Sequence, residues 1–513
     1  MQNHPDHLYR HGLTGLQAGD LPLRQSTRRP PLFVIQDNDS EESVVALVAE
    51  RLDTDIPVFG LSVQAIESPR PQTVEGLAAR LVQTIRGVQP LGPYRLAGWS
   101  QSGLVAYEVA TQLVGHDEAV EFVGLVGEYL RCDRRSYSPQ AAASLPVHLF
   151  VQPGTEGAGG PEHTVSWRHL LPATQLREVQ LPPTGRGIGL PGPALWRALG
   201  EAIAACHGQV LQQAEFQYRP QLTIQSGSRG AEPLFCIPGA GDSVTGFTGL
   251  ASALGGQWPV HGLQPRGVEG VMVPHASVQA AAQSYLRAIE DVQPAGPVHL
   301  VGHSFGGWVA FEVALRLQAA RRPVASLTLV DSEAPGQGDV LGQEHRAVDV
   351  VSMLMESLEL ASEKRLNISR AMLEAADASE RLAMTHAGAV RVGLMPARSR
   401  PDSLSGSVRT FAAALRTTYR PQFAYDGPVR LVLTPDLRLD AAGNQLQYQR
   451  MEEVWRSHAP HLSSWTGPGN HMTILKPPHV GVLAKWWLAG LHVAAAVSTH
   501  AAAEARDSVA AAL

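Results

Sequence analysis

The chain repeats itself, and that repeat limits what it can fold into more than any other feature. Val88-Gln89-Pro90-Leu91-Gly92-Pro93-Tyr94-Arg95-Leu96 returns as Val292-Gln293-Pro294-Ala295-Gly296-Pro297-Val298-His299-Leu300, an offset of 204 positions. Two further stretches keep that offset: Gly98-Trp99-Ser100-Gln101-Ser102-Gly103 with Gly302-His303-Ser304-Phe305-Gly306-Gly307, and Ala106-Tyr107-Glu108-Val109-Ala110 with Ala310-Phe311-Glu312-Val313-Ala314. A period of about 200 residues is the size of a whole domain, so the repeat is a domain duplication and not a solenoid. The first apolar run of each half, Pro31 to Ile35 and Pro233 to Ile237, follows a polar stretch that reads as a linker. The expected organisation is an N-terminal linker 1–30, a first copy 31–215, a linker 216–232, a second copy 233–491 and an Ala-rich tail 492–513.

Both copies alternate short apolar runs with helical patterns, which predicts an α/β fold with a mostly parallel sheet covered on both faces. In the second copy the expected strands are Leu234–Ile237, Val298–Val301, Leu327–Val330 and Val429–Leu433, with a helix over Trp308–Gln318. Residues 336–420 hold no convincing strand. Val350, Leu354 and Leu358 recur there at helical spacing, so a helical insertion, positioned as a lid, is expected. The first copy has no counterpart: Val123–Val126 is followed within about 20 residues by Val147–Val151.

Composition excludes several classes. A net charge of −6 gives no footprint for nucleic acid or anionic membrane, and no stretch has the apolar length of a membrane span. The three cysteines, Cys132, Cys206 and Cys236, have neither disulfide-framework nor metal-ligand spacing, which fits a cytoplasmic protein.

The chemistry gathers in the second copy. Gly302-His303-Ser304-Phe305-Gly306 satisfies GxSxG between an expected strand and helix, the setting of a nucleophile elbow. A serine needs a base, and the base needs a carboxylate that fixes its tautomer. Asp331 ends the expected strand Leu327–Val330, and His471 lies in the Gly-rich loop Gly467–Asn470, so the chain order is Ser, Asp, His. Asp436 is the alternative acid. Pro238-Gly239-Ala240-Gly241 follows the first strand, and its small residues suit a loop that approaches substrate with its backbone. The N–H groups of Ala240 and Phe305 are the candidate oxyanion donors.

Together, the Pro233–Gly241 segment, the Gly302–Gly307 elbow, Val330-Asp331-Ser332 and Gly469-Asn470-His471 resemble the thioesterase domains of nonribosomal peptide and polyketide synthases over residues 233 to about 490. The resemblance implies an α/β-hydrolase fold with a helical lid. It also implies a nucleophile Ser304, a base His471 oriented by Asp331, and release of an acyl, peptidyl or polyketidyl chain by hydrolysis or cyclisation. The chain would be carried on the phosphopantetheine of an acyl or peptidyl carrier protein, with no cofactor or metal of the enzyme's own. No carrier motif occurs in the chain, so a carrier is expected from another polypeptide or from a longer parent chain. A carboxylesterase or lipase acting on a small ester, an acyltransferase, and a noncatalytic docking protein are the competing readings.

The first copy resembles the same family but departs from it at four catalytic positions. Gln36-Asp37-Asn38-Asp39 stands where Pro238–Gly241 does, and carboxylates there would repel an oxyanion. Gly127, beside Glu128, takes the place of Asp331. The loop Pro182–Gly187 has no histidine, and Ser102 replaces the second elbow glycine. Ser100 is therefore expected to lack a base unless one is borrowed, as from His163 or His169.

Overall fold

Apolar runs buried on both faces form parallel strands, and here they form two sheets. The computed structural model describes residues 30–37, 48, 51–52, 56–99, 101–127, 129–131, 137, 139, 142, 145–151, 164–171, 175–182, 193–206, 218–336 and 341–491. The first half contributes β1 (Leu32–Gln36), β2 (Val58–Ser62), β3 (Tyr94–Trp99), β4 (Val120–Val126), β5 (Tyr129–Arg131), β6 (Val147–Val151), β7 (Thr164–Ser166) and β8 (Leu176–Gln180). Six of these make an all-parallel sheet in the order β2-β1-β3-β4-β6-β8, and β5 and β7 form a separate antiparallel ribbon. The second half contributes β9 (Gln221–Gln225), β10 (Leu234–Ile237), β11 (Val260–Leu263), β12 (Val298–His303), β13 (Val324–Val330), β14 (Val429–Leu433) and β15 (Leu462–Thr466). Their order is β15-β14-β13-β12-β10-β11-β9, parallel except for β9, which runs antiparallel to β11.

β9 corrects one reading of the sequence. Gln221–Gln225 lies in the stretch read as a linker, yet it closes the edge of the second sheet. Its side chains are only partly covered, so it lacks the apolar run by which the interior strands announce themselves.

In the second half the chain passes from β10 outward to β11, then returns to the other side of β10 with β12. That reversal opens a crevice at the carboxyl ends of β10 and β12, the place where open α/β sheets bind ligands. The helix after β12, Phe305–Ala319, is apolar on nearly every side and lies buried against the sheet. Between β13 and β14 stand four helices, Ala347–Ser362, Arg370–Ala375, Ala378–Val392 and Ser405–Arg416, and a short 3-10 turn, Pro401–Leu404. The first three close on their own small core of Val348, Val351, Met355, Leu366, Leu373 and Val392. No strand occurs among the described residues of this insertion, as expected. The N-terminal linker other than Pro30, and the tail 492–513, lie outside the described residues.

Candidate functional site

The turn from β12 into its helix must be sharp, and glycine makes it possible. Ser304 sits at φ 53° and ψ −127°, a strained conformation for a residue with a side chain, costing about 1–3 kcal/mol. A Cβ on Gly302 would lie 2.6 Å from the Cα of Gly307, and one on Gly306 would collide with the carbonyl oxygens of Ile237 and Pro238. The elbow and the loop after β10 are therefore pressed backbone to backbone. On the other side of that loop, a Cβ on Gly239 would lie 3.1 Å from the Cβ of Ser304. Gly239, the residue before Ala240, is thus held against the serine. Phe305 opens the helix, so its N–H lies in the first turn, where no helical carbonyl accepts it.

His471 and Asp331 meet, 140 positions apart in sequence. His471 Nδ1 and Asp331 Oδ2 lie 2.7 Å apart. Asp331 also accepts hydrogen bonds from the Thr434 N–H at 3.0 Å and the Thr434 hydroxyl at 2.6 Å. Burial alone would raise the Asp331 carboxyl, but the donors on His471 and Thr434 together hold it below the ordinary range. For His471 burial acts to lower the imidazole; the bond and charge of Asp331, with the nearby Asp242 and Glu333, outweigh it and raise the pKa. The pair is an anion holding a base in a defined tautomer. No hydrogen bond joins the Ser304 hydroxyl to His471 in this structure; unliganded sites commonly close that contact only around substrate.

Asp436, the alternative acid, is held by a different partner. It is engaged by Arg438 at 2.8 Å and accepts no hydrogen bond from His471.

Three contributors carried no signal of their own in the sequence. Thr434 is simply the residue after β14. His303, within the elbow, donates from Nε2 to the His471 carbonyl at 2.8 Å, and its ring lies 4.8 Å from the His471 ring. Burial and the charge of His471 push His303 down to about 4, so it stays neutral. Asn470 fixes the loop: its Oδ1 accepts from the N–H groups of Met472 (2.9 Å) and Thr473 (3.0 Å). The elbow motif and the Gly-rich loop flanked the last two, but neither spacing nor charge distinguished them.

In the first half the equivalent backbone is kept without the carboxylate that Asp331 supplies in the second. Asp331 donates its N–H to Val432 at 2.7 Å, and Gly127 makes the matching bond to Phe150 at 3.0 Å, with φ 103° and no carboxylate. Asp37 is engaged by Gln64 at 2.9 Å. Ser102 is buried where the second half has Gly306, and a Cβ at Gly306 has no room against the loop after β10. Ser100, Glu128, His163, the His169 side chain and the loop 183–187 lie outside the described residues.

The Thioesterase domain family model matches residues 47–198 and 232–485. The chain belongs to the thioesterase domain family. Among related proteins, the chain is 37% identical over 111 residues to a dimodular nonribosomal peptide synthase of Bacillus subtilis (strain 168), a match covering 21% of the chain and 5% of the relative. It is 36% identical over 146 residues to the non-reducing polyketide synthase Preu8 of Preussia isomera, covering 28% of the chain and 6% of the relative. The chain thus spans about a twentieth of the length of such relatives. Among solved structures, the Vlm2 thioesterase domain aligns at TM-score 0.39 and 24% identity, covering 52% of this chain and 95% of that one. The type II thioesterase BorB from the borrelidin biosynthetic cluster aligns at TM-score 0.37 and 19% identity, covering 53% and 98%. No helix among the described residues is long and apolar enough to cross a membrane, and none of their side chains cluster as a metal site.

Proposed function

We propose that the second half cleaves an acyl, peptidyl or polyketidyl thioester through an acyl-Ser304 intermediate, and that the first half has no turnover of its own. The observation that carries this is the 2.7 Å contact of His471 with Asp331, beside a serine held at positive φ on a strand-to-helix turn. His471 Nε2 takes the Ser304 proton as the hydroxyl oxygen attacks the thioester carbonyl. The negative charge moves to the carbonyl oxygen, facing the N–H groups of Ala240 and Phe305, each such donor being worth about 3–4 kcal/mol in the transition state. When the intermediate collapses, the C–S bond breaks and the imidazolium returns its proton to the departing thiolate. Water, or a hydroxyl or amine of the acyl chain, then attacks the ester after giving its proton to His471, and Ser304 leaves reprotonated. Asp331 holds the Nδ1–H throughout and stays ionised.

The domain family and its synthase relatives support a substrate presented on the phosphopantetheine of a carrier protein. Treating the protein with an acyl thioester and measuring intact mass tests the reading. An acyl adduct is expected in the wild type and absent in Ser304→Ala; an adduct unchanged by that substitution overturns the assignment. Carrier-bound thioester should turn over faster than an oxygen ester of the same acyl group, and the reverse order would favour the carboxylesterase.

A further inference from the structure

One helix of the insertion touches both halves, with a different side to each. In Ser405–Arg416, residues Arg409, Ala412, Ala413 and Arg416 recur at helical spacing and line a cavity of about 90 Å³ whose far wall is Glu75, Glu108 and Gln112 of the first half. On the opposite side of the helix, Ser407 and Phe411 pack on the loop after β10: a Cβ on Gly241 would lie 3.0 Å from the Phe411 Cβ and 3.0 Å from the Ser407 carbonyl oxygen. Gly241 adjoins Ala240.

The contact with the first half is built from buried charge. Arg409 is 9% exposed, donates Nη1 to the Gly270 carbonyl at 2.8 Å, and its Nε has no partner among the described residues. It faces Tyr107, Glu108 and Tyr137 of the first half, and Glu108 is itself held by the Tyr137 hydroxyl at 2.7 Å. Next to this, Arg266 pairs with Asp117 and donates to the Val114 carbonyl at 3.0 Å, and the Ala276 N–H donates to the Gly115 carbonyl at 2.8 Å. Val273 packs into the first half's core. The Arg266–Asp117 pair holds this geometry, because separating the two leaves the Arg266 guanidinium buried without its counter-charge.

We infer that the first half is a positioning element for the second half's oxyanion loop: the end of the helix Gln101–Gly115 and Asp117 hold the segment Arg266–Ala276, the Gly270 carbonyl of that segment holds Arg409 of the helix Ser405–Arg416 while Glu108 faces Arg409 across the cavity, and that helix holds Gly241 and so Ala240. This rests on the proposed role of Ala240. It gives the degenerate copy a function that needs neither Ser100 nor a base. It also makes Ser405–Arg416 a fixed wall of the site.

The test uses the full-length chain, labelled with a fluorophosphonate whose tetrahedral adduct occupies the oxyanion site. Labelling of the wild type and none of Ser304→Ala establishes the underlying reading; wild type left unlabelled sinks that reading and not the coupling. The coupling is then read in Glu108→Gln and Arg409→Met, and in a wedge variant, Gly115→Leu, whose Cβ alone would lie 2.7 Å from the Ala276 Cβ. Hydrogen exchange at the Ala276 amide reports whether the interface has opened, and thermal unfolding reports whether the variant is folded. The expected result is a maximal labelling rate lowered ~10- to 100-fold, the cost of a displacement of about 1 Å in a reacting geometry, with half-saturation within about twofold of wild type. Faster exchange at residues 239–242 should accompany it, and Arg409→Lys should recover part of the rate. Any folded variant that has lost Ala276 protection but labels at the wild-type rate overturns the inference. So do charge variants that lose neither protection nor rate. Should the wedge variant fail to fold, the two charge variants decide alone.

Discussion

Asp331 and His471 pull each other toward opposite charge, and the pH dependence of the site follows. Only neutral His471 can accept the serine proton, and its pKa is raised, so the acid limb of kcat/KM should have its midpoint above the ordinary histidine value of 6.5. A midpoint at or below 6.5 would contradict the assigned pair. Stability has a matching window. The raised His471 contributes below its unfolded value and loses that contribution as pH rises through its folded value; the depressed Asp331 contributes above its unfolded value and loses it as pH falls through its folded one. The cost of Asp331→Asn, measured by urea denaturation, should therefore be largest between about pH 4 and 6.5 and shrink above that. Gly306→Ser brings the first half's residue to the elbow and forces the loop after β10 aside. Its kcat should fall ~10²- to 10³-fold, as on loss of an oxyanion donor, with KM little changed, and an unaltered kcat would show that the loop has room to spare. The sequence disclosed the residues whose chemistry is scarce: a serine between glycines, an aspartate ending a strand, a histidine in a Gly-rich loop. It did not disclose Thr434 or His303, because their roles depend on which backbone atoms face them, and residue type does not encode that.

Among elements, the loop that presents His471 depends on one side chain. Asn470 is 6% exposed and accepts two N–H groups through a single oxygen, so Asn470→Ala leaves both without that acceptor. A loss of about 1–3 kcal/mol in unfolding free energy is expected, together with a kcat drop exceeding any change in KM. A variant as stable as wild type would mean that water replaces Asn470 at no cost. The strands of the two sheet interiors were legible, because a strand buried on both faces must be written as an apolar run; Leu234–Ile237 and Val429–Leu433 match to the residue. The helix predicted over Trp308–Gln318 spans Phe305–Ala319, the shortfall lying at its ends, where the elbow glycines mask the helical pattern. β9 escaped notice for the opposite reason: an edge strand with one side open to water carries polar residues, and Gln-Leu-Thr-Ile-Gln reads like a linker until β11 is placed beside it.

In the whole molecule, the proposed function makes the duplication a division of labour. Ser304→Ala should abolish thioester turnover and Ser100→Ala should leave it unchanged; loss of turnover in Ser100→Ala alone would reinstate the first half as a catalyst. The repeat at 204 positions made both copies legible, but not the surface between them, where a shared residue such as Glu108 meets side chains outside the repeated stretches. Glu344 is one such residue. Its carboxylate accepts the N–H groups of Gln72 and Thr73 and the Thr73 hydroxyl, at 2.7, 2.5 and 2.6 Å, at the start of the helix Val74–Val88. Thr73 and Glu344 are 271 positions apart in the chain. A ribosome adding ~5–20 residues per second takes on the order of tens of seconds to travel that far. Until Glu344 is added the helix Val74–Val88 lacks this partner; the cover of Val273 comes within that interval and that of Arg409 after it, so the time between the first half's synthesis and its completion is a period of exposure to chaperones, proteases and other nascent chains.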